Sequence, residues 1–206
     1  MGNLRSVQKA FERVGHEAIV TDDPDVIARA DAVVLPGVGA FKDCIDGLRD
    51  RGLIPSVKAA ATDGRPFLGI CVGLQLLFDY SEEGVGAAGL GIFAGRVVRF
   101  PDAAESRLKV PHMGWNRIYP ANTPEAKEIL SQTTETPYTY FVHSYYAVPE
   151  DPDIVLARCD HGVSFPAIVG RGNVFATQFH PEKSQQEGLA ILKAFGNKVS
   201  DAAGVA

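Results

Sequence analysis

The sequence predicts an α/β fold: an open, mostly parallel sheet with helices on both faces, extended by antiparallel strands. Three observations predict it. Up to about residue 80, helical stripes alternate with short apolar runs, as parallel strands joined by crossover helices do. From Gly91 the chain changes to closely spaced strand-like runs separated by turn residues. The chain has 206 residues, 46% hydrophobic and 22% charged, which suits one domain spanning 1–206 with a sizeable core.

The elements follow in order. Leu4, Val7, Phe11 and Val14 form a helical stripe that Gly15 ends. EAIVT (17–21) reads as a short strand. Asp23-Pro24 opens a helix, with Asp as cap and Pro in the first turn. DAVVLPG (31–37) is a strand, and helical stretches follow around 41–51 and 54–62. PFLGI (66–70) is a buried strand running into a helix with Leu74, Leu77 and Phe78 on one side. GIFAGRVVRF, KVPHMGWNRI, PYTYFVHSYYAV, IVLARCDHG and FPAIVGRG are the later strands, with a helix at EAKEILSQ (125–132). NVFATQFH returns to the central sheet. Ser184 and Glu187 have capping-box spacing for a last helix whose apolar face is Leu189, Leu192 and Phe195. The tail SDAAGVA is expected to fray.

Several function classes are excluded. Net charge is −5, and no long basic run exists that would bind nucleic acid. The sequence contains no apolar run of membrane-spanning length and no signal-peptide pattern. MGNLRS fits a myristoylation pattern, but no polybasic patch follows to supply a second membrane signal. The three cysteines, Cys44, Cys71 and Cys159, lie far apart without a CxxC pair. That suits a reducing cytoplasm and argues against a disulfide scaffold or a zinc site. Cys44 and Cys159 read as inert core residues, and neither a cofactor nor a metal is expected.

The chemistry concentrates in two segments. In PFLGICVGLQLLF (66–78), Cys71 sits between two glycines at a strand-to-helix turn. This is a nucleophile elbow with sulfur in place of oxygen, although a buried structural cysteine beside tight-packing glycines would fit the same pattern. The helix N-terminus beside it favours thiolate. About a hundred residues later, NVFATQFHPEKS (173–184) is a strand-like run ending in His180, Pro181 and Glu182. His180 can take the thiol proton, and Glu182 can hold the imidazole in the right tautomer. An oxyanion would need two donors already in place. The Val72 N–H at the elbow is one, and the glycine loop PGVGAF (36–41) is a candidate for the other. The same loop also reads as an ordinary turn or a phosphate cradle, although the Lys-Ser/Thr of a P-loop is missing.

GICVGLQ together with QFHPEKS resembles the triad-type (class I) glutamine amidotransferases. VPHMGWN (110–116), YFVHSYY (140–146) and QFHPEKSQ (178–185) narrow the resemblance to the glutaminase subunits of imidazole glycerol phosphate synthase, over essentially the full chain. The resemblance implies a class I amidotransferase, flavodoxin-like fold. It implies hydrolysis of glutamine by a Cys71-His180-Glu182 triad, with ammonia passed to a (β/α)8-barrel cyclase subunit. That partner makes imidazole glycerol phosphate and AICAR in histidine biosynthesis. By the same resemblance, Val38 or Gly39 supplies the second oxyanion amide. Glu83 holds the substrate ammonium, Gln75 helps seat glutamine, and His143, Ser144 and Tyr145 line the pocket. Asn3, Trp115, Tyr140 and Lys183 match family positions near the interface.

Two other readings remain. The chain could serve another synthase, such as one for anthranilate or pyridoxal phosphate, or it could be a catalytically silent regulatory subunit. Subunits of the resembled family begin with an apolar strand and a glycine loop ahead of the Gly-Asn that is here Gly2-Asn3. The resemblance therefore implies that the first strand is missing and that Asn3 is poorly anchored.

Overall fold

The computed structural model describes residues 4–101, 109–202 and 204. The elements run in the order α1 (Leu4–Arg13), α2 (Pro24–Arg29), β1 (Val33–Gly37), α3 (Phe41–Asp50), α4 (Ile54–Thr62), β2 (Phe67–Cys71) and α5 (Val72–Leu76). Next come β3 (Phe78–Ser81), β4 (Ala87–Ala88), β5 (Phe93–Arg99), β6 (His112–Pro120), α6 (Pro124–Ile129), β7 (Tyr138–His143) and β8 (Tyr145–Pro149). The chain closes with β9 (Val155–Asp160), β10 (Ser164–Arg171), β11 (Val174–Thr177) and α7 (Gln185–Ala202).

Among the described residues, one seven-stranded sheet has the order β1-β2-β11-β10-β9-β6-β7, and a second sheet has the order β4-β3-β5-β8. The parallel part is β1, β2 and β11, and antiparallel strands extend it from β11 outward. The register of the parallel part positions the site. Gly37 lies opposite Cys71, and Thr177 lies opposite Ile70. The segments leaving all three strands therefore emerge together at the carboxyl edge of the sheet, where α/β folds bind ligands. Phe67, Leu68, Ile70, Phe175 and Ala176 are buried and fix that register.

Helix α1 buries Val7, Ala10 and Phe11, and the Phe11 ring meets Phe195 of α7 edge-on. Asp23 caps α2 as expected, its carboxylate accepting from the Asp25 N–H at 2.8 Å.

Five expectations need correction or placement. Residues 17–21 form no strand. A strand needs a hydrogen-bonded neighbour, and among the described residues β1, rather than 17–21, is the edge of the sheet. Ile19 is 71% exposed and Val20 47%. The helix after Cys71 ends at Leu76, because the carbonyls of Leu76 and Leu77 accept N–H groups from Leu90, Ile92 and Phe93. Leu77 and Phe78 are buried all the same. The capping box does not form: the Ser184 hydroxyl donates to the His180 carbonyl and accepts from the Tyr140 N–H, while Glu187 binds Thr134. Residues 200–202 of the tail continue α7. Asn3 lies outside the described residues.

Candidate active site

Cys71 ends β2 and carries a left-handed backbone, φ +56° and ψ −110°. For a residue with a Cβ this conformation costs about 1–3 kcal/mol. The strain falls on Cys71 itself, and the elbow glycines allow close packing around it. A Cβ at Gly73 would run into the Leu35 carbonyl of β1. Strands β1 and β11 on either side hold the turn in this shape.

His180 follows β11, and its N–H donates to the Tyr140 carbonyl at 3.0 Å. A short 3-10 turn, Pro181–Lys183, folds the Glu182 carboxylate back onto the imidazole. His180 Nδ1 donates to Glu182 Oε1 at 2.9 Å, with both side chains almost fully buried. That bond fixes the tautomer with Nε2 as the free nitrogen. Nε2 has no hydrogen-bond partner among the described residues. Burial pulls the His180 pKa down, but Cys71 and Glu182 outweigh it and raise it to about 9. Cys71 is thus close enough to act on the ring, although no bond of ordinary geometry joins the two.

Cys71 and His180 share a cavity of about 560 Å³ with Val38, Gly39, Val72, Gln75, Glu83, His143, Ser144, Tyr145 and Lys183. The structure thus brings together the nucleophile, base, oxyanion and glutamine-pocket candidates, with Glu182 behind the base. The Val72 N–H opens α5 and has no partner within it. Glu83 reaches the cavity while its Oε2 accepts from the Phe41 N–H at 2.7 Å. Gln75 Nε2 donates to the Tyr145 carbonyl at 3.0 Å and to Gln178 Oε1 at 3.2 Å. Gln178 Nε2 in turn lies 4.0 Å from Cys71 Sγ.

The pocket wall of β7 and β8 is held from behind by histidines. His143 Nδ1 donates to the Tyr145 carbonyl at 2.8 Å, so its Nε2 accepts from His112 Nδ1 at 3.1 Å. His112 Nε2 then accepts from Asn116 Nδ2 at 3.2 Å. Burial drives the pKa of His143 down to about 3 and that of His112 to about 4, so both are neutral. Sequence reasoning gave Gln178, His112 and Asn116 no role and gave Ser184 only a helix cap, although all four lie inside the motifs. Their roles come from cross-strand pairing, such as His112 opposite His143.

The interface candidates also cluster. Trp115 lies opposite Tyr140 on β6 and β7, with ring centroids 5.9 Å apart, and Tyr138 stacks on Trp115. Lys183 Nζ sits 5.9 Å over the Tyr140 ring, and Lys183 also lines the cavity. With exposed Met113, these residues form an aromatic patch continuous with the cavity wall. Among the described residues no cluster of His, Cys, Asp and Glu suits a metal ion, and no helix is long and apolar enough to cross a membrane.

A family profile described as glutamine amidotransferase class-I matches residues 3–199. The chain is 56% identical over 200 residues to the imidazole glycerol phosphate synthase subunit HisH of Syntrophotalea carbinolica, covering 96% of each chain. It is 50% identical to the HisH subunit of Geobacter sulfurreducens over 199 residues, 95% of this chain and 94% of that one. A crystal structure described as a glutamine amidotransferase shares the fold, with TM-score 0.70 at 21% identity, covering 99% of this chain and 95% of that one. The elbow, the His-Pro-Glu turn and these likenesses converge: the chain belongs to the class-I glutamine amidotransferases, within the family of HisH subunits of imidazole glycerol phosphate synthase.

Proposed function

We propose that this chain hydrolyses the side-chain amide of glutamine to glutamate and ammonia, and passes the ammonia to a (β/α)8-barrel cyclase subunit that makes imidazole glycerol phosphate and AICAR. The observation that carries the reading is the buried His180–Glu182 pair, which leaves Nε2 unpartnered beside Cys71 on the wall of a cavity.

Glu83 presents a carboxylate oxygen to the substrate ammonium, and the Tyr145 side of the pocket seats the rest of the amino acid. The Cys71 thiolate attacks the amide carbon. The oxyanion is held by the Val72 N–H together with an N–H of Val38 or Gly39. His180, protonated and oriented by Glu182, gives its proton to the leaving ammonia. Water then attacks the glutamyl thioester with His180 as base, which releases glutamate and the thiol. The exposed patch around Trp115, Tyr140 and Lys183 is the docking face for the barrel subunit. Its continuity with the cavity shortens the route for ammonia. The reaction takes place in the cytoplasm.

Service to an anthranilate or pyridoxal phosphate synthase finds no support in the HisH relatives, and a silent subunit would not need the intact constellation. The test is glutamate release and imidazole glycerol phosphate synthesis with the barrel subunit present and absent. Cys71→Ala should abolish glutamine-dependent synthesis while synthesis from added ammonium survives. Glutamate release by that variant would sink the reading.

A further inference from the structure

The segment from Val38 to Ala40, which carries the candidate oxyanion amides, is held at both ends by side chains from outside it. At its start, the Cys44 thiol donates to the Val38 carbonyl at 3.3 Å. At its end, the Phe41 N–H donates to Glu83 Oε2 at 2.7 Å. Between these points the N–H groups of Val38, Gly39 and Ala40 have no hydrogen-bond partner among the described residues. Val38 and Gly39 line the cavity, whereas Cys44 stands behind them on α3.

A trans peptide turns its carbonyl and the following N–H in opposite directions. Holding the Val38 carbonyl against Cys44 therefore turns the Gly39 N–H away from Cys44 and keeps it unpaired. Without that hold the peptide would turn readily. Glycines flank Val38 on both sides, Gly39 already has φ +89°, and a Cβ there would meet nothing within 4 Å. Burial raises the Cys44 pKa, which keeps the thiol in the protonated form that donates. At the other end, one carboxylate oxygen of Glu83 holds the Phe41 N–H. The second remains for an ammonium, so seating the substrate need not release the loop.

We infer that Cys44 and Glu83 form a two-point clamp that sets the peptide orientation of the 38–40 segment. Cys44 is then a positioning residue for the oxyanion donors, and Glu83 has a second task beside the substrate ammonium. This rests on the amidotransferase reading above. Cys44, which the sequence placed among the inert core residues, thus acts on the chemistry through Val38.

The test measures glutamate release by the complex with the barrel subunit. Cys44→Ala removes the donor, and kcat should fall about ten-fold, part of the ~10²–10³ that a whole missing oxyanion donor is worth. KM for glutamine should stay within about two-fold, because Cys44 does not touch the cavity. Cys44→Ser should restore most of kcat, since its hydroxyl can donate to the same carbonyl. Cys44→Val, close in size and without a donor, should behave like Cys44→Ala even if the alanine variant is poorly folded. Glu83→Gln keeps an oxygen for the Phe41 N–H and loses the charge, so it should mainly raise KM. Glu83→Ala should raise KM and lower kcat together. Unchanged or increased kcat in both Cys44→Ala and Cys44→Val overturns the clamp, as does an equal fall in Cys44→Ser. Cys71→Ala in the same assay separates the two levels: if it stays active, the amidotransferase reading itself has failed.

Discussion

His180 Nδ1 lies 2.9 Å from Glu182 Oε1, and the two side chains are 2% and 1% exposed. A two-residue separation along a 3-10 turn thus places a carboxylate on the far side of the imidazole from the cavity. The pair is dry, so the carboxylate acts on one ring nitrogen with little screening.

Glu182→Gln should therefore damage the chemical step more than binding. The amide can turn its NH₂ toward Nδ1, which would place the ring proton on Nε2 and leave no base for the thiol. Loss of the wrong-tautomer kind costs on the order of 10⁴ in kcat where it has been seen in related triads. Steady-state glutaminase kinetics of the complex check this. A variant with kcat within about ten-fold of wild type would show that Glu182 does not orient the base.

His180 should also titrate late. Burial lowers its pKa, but Cys71 and Glu182 raise it further, to about 9. Because the folded value lies above the ordinary 6.5, the associated stability is fully present below pH 6.5 and is lost as pH rises through about 9. Cys71→Ala removes one of the raising partners, so its alkaline loss should begin at lower pH. Imidazole NMR titration of the two proteins reads this directly. Equal midpoints would mean that thiol and ring do not interact.

The residues that were legible in the sequence are those whose chemistry is local. Cys71 announced itself through its glycines and the strand before it, and His180 and Glu182 stand two positions apart. The parallel strands were legible because burial on both faces leaves continuous apolar runs. Contacts made across the sheet were not. Ser184 has the right spacing for a capping box, yet its hydroxyl is taken by Tyr140 and His180, because β7 runs alongside. His112, His143 and Asn116 looked like motif letters until the β6–β7 register put their rings and amide in one chain. Cys44 gave no signal at all, since a helical cysteine with apolar neighbours has the pattern of core. EAIVT failed for the opposite reason: its composition suits a strand, but a strand is a property of two segments.

The His112–His143 pair should make the protein acid-sensitive. Both folded pKa values, about 4 and about 3, lie below the ordinary 6.5 because burial disfavours the charged ring. Between pH 6.5 and about 4 the unfolded chain binds more protons, so stability falls as pH falls through that window. Each histidine contributes a slope of about 1 kcal/mol per pH unit. Asp46 and Asp63, whose pKa values are lowered by Lys42 and Arg65, lose their contribution only at lower pH, below 3.8. Urea unfolding at pH 7.5, 6 and 5 should give a declining stability, and His143→Gln should flatten the decline. A level profile in the wild-type protein would refute the assignment.

Partner docking should respond to the aromatic patch. Trp115 packs edge-on to Tyr140, which carries Lys183 above its ring, and Met113 extends the same face. Aromatic anchors at the centre of an interface are worth about 2 kcal/mol or more on truncation to alanine, roughly thirty-fold in Kd. Trp115→Ala should weaken binding of the barrel subunit by about that amount while the melting temperature of the isolated chain changes little. Calorimetric titration against the barrel subunit decides it, and unchanged affinity would move the docking face elsewhere.

Isolated and partnered forms should differ most in the oxyanion loop. The N–H groups of Val38 and Gly39 have no partner among the described residues, and glycines flank the first of them. The thiol that holds the Val38 carbonyl is a weak donor, so the free chain keeps more than one accessible peptide orientation, and only orientations that aim an N–H at the developing oxyanion are productive. Lys183 links the aromatic patch to the cavity that Val38 and Gly39 line, so a partner seated on the patch also touches the wall facing the loop. The isolated chain should hydrolyse glutamine slowly. Adding the barrel subunit with its ligand should raise kcat by about 10²–10³, the worth of one oxyanion donor. The rise should appear in kcat more than in KM, because the Glu83 carboxylate offered to the substrate ammonium lines the cavity without the partner. Equal turnover with and without the partner would mean that the loop is already set in the free chain, and that the partner receives ammonia without governing its release.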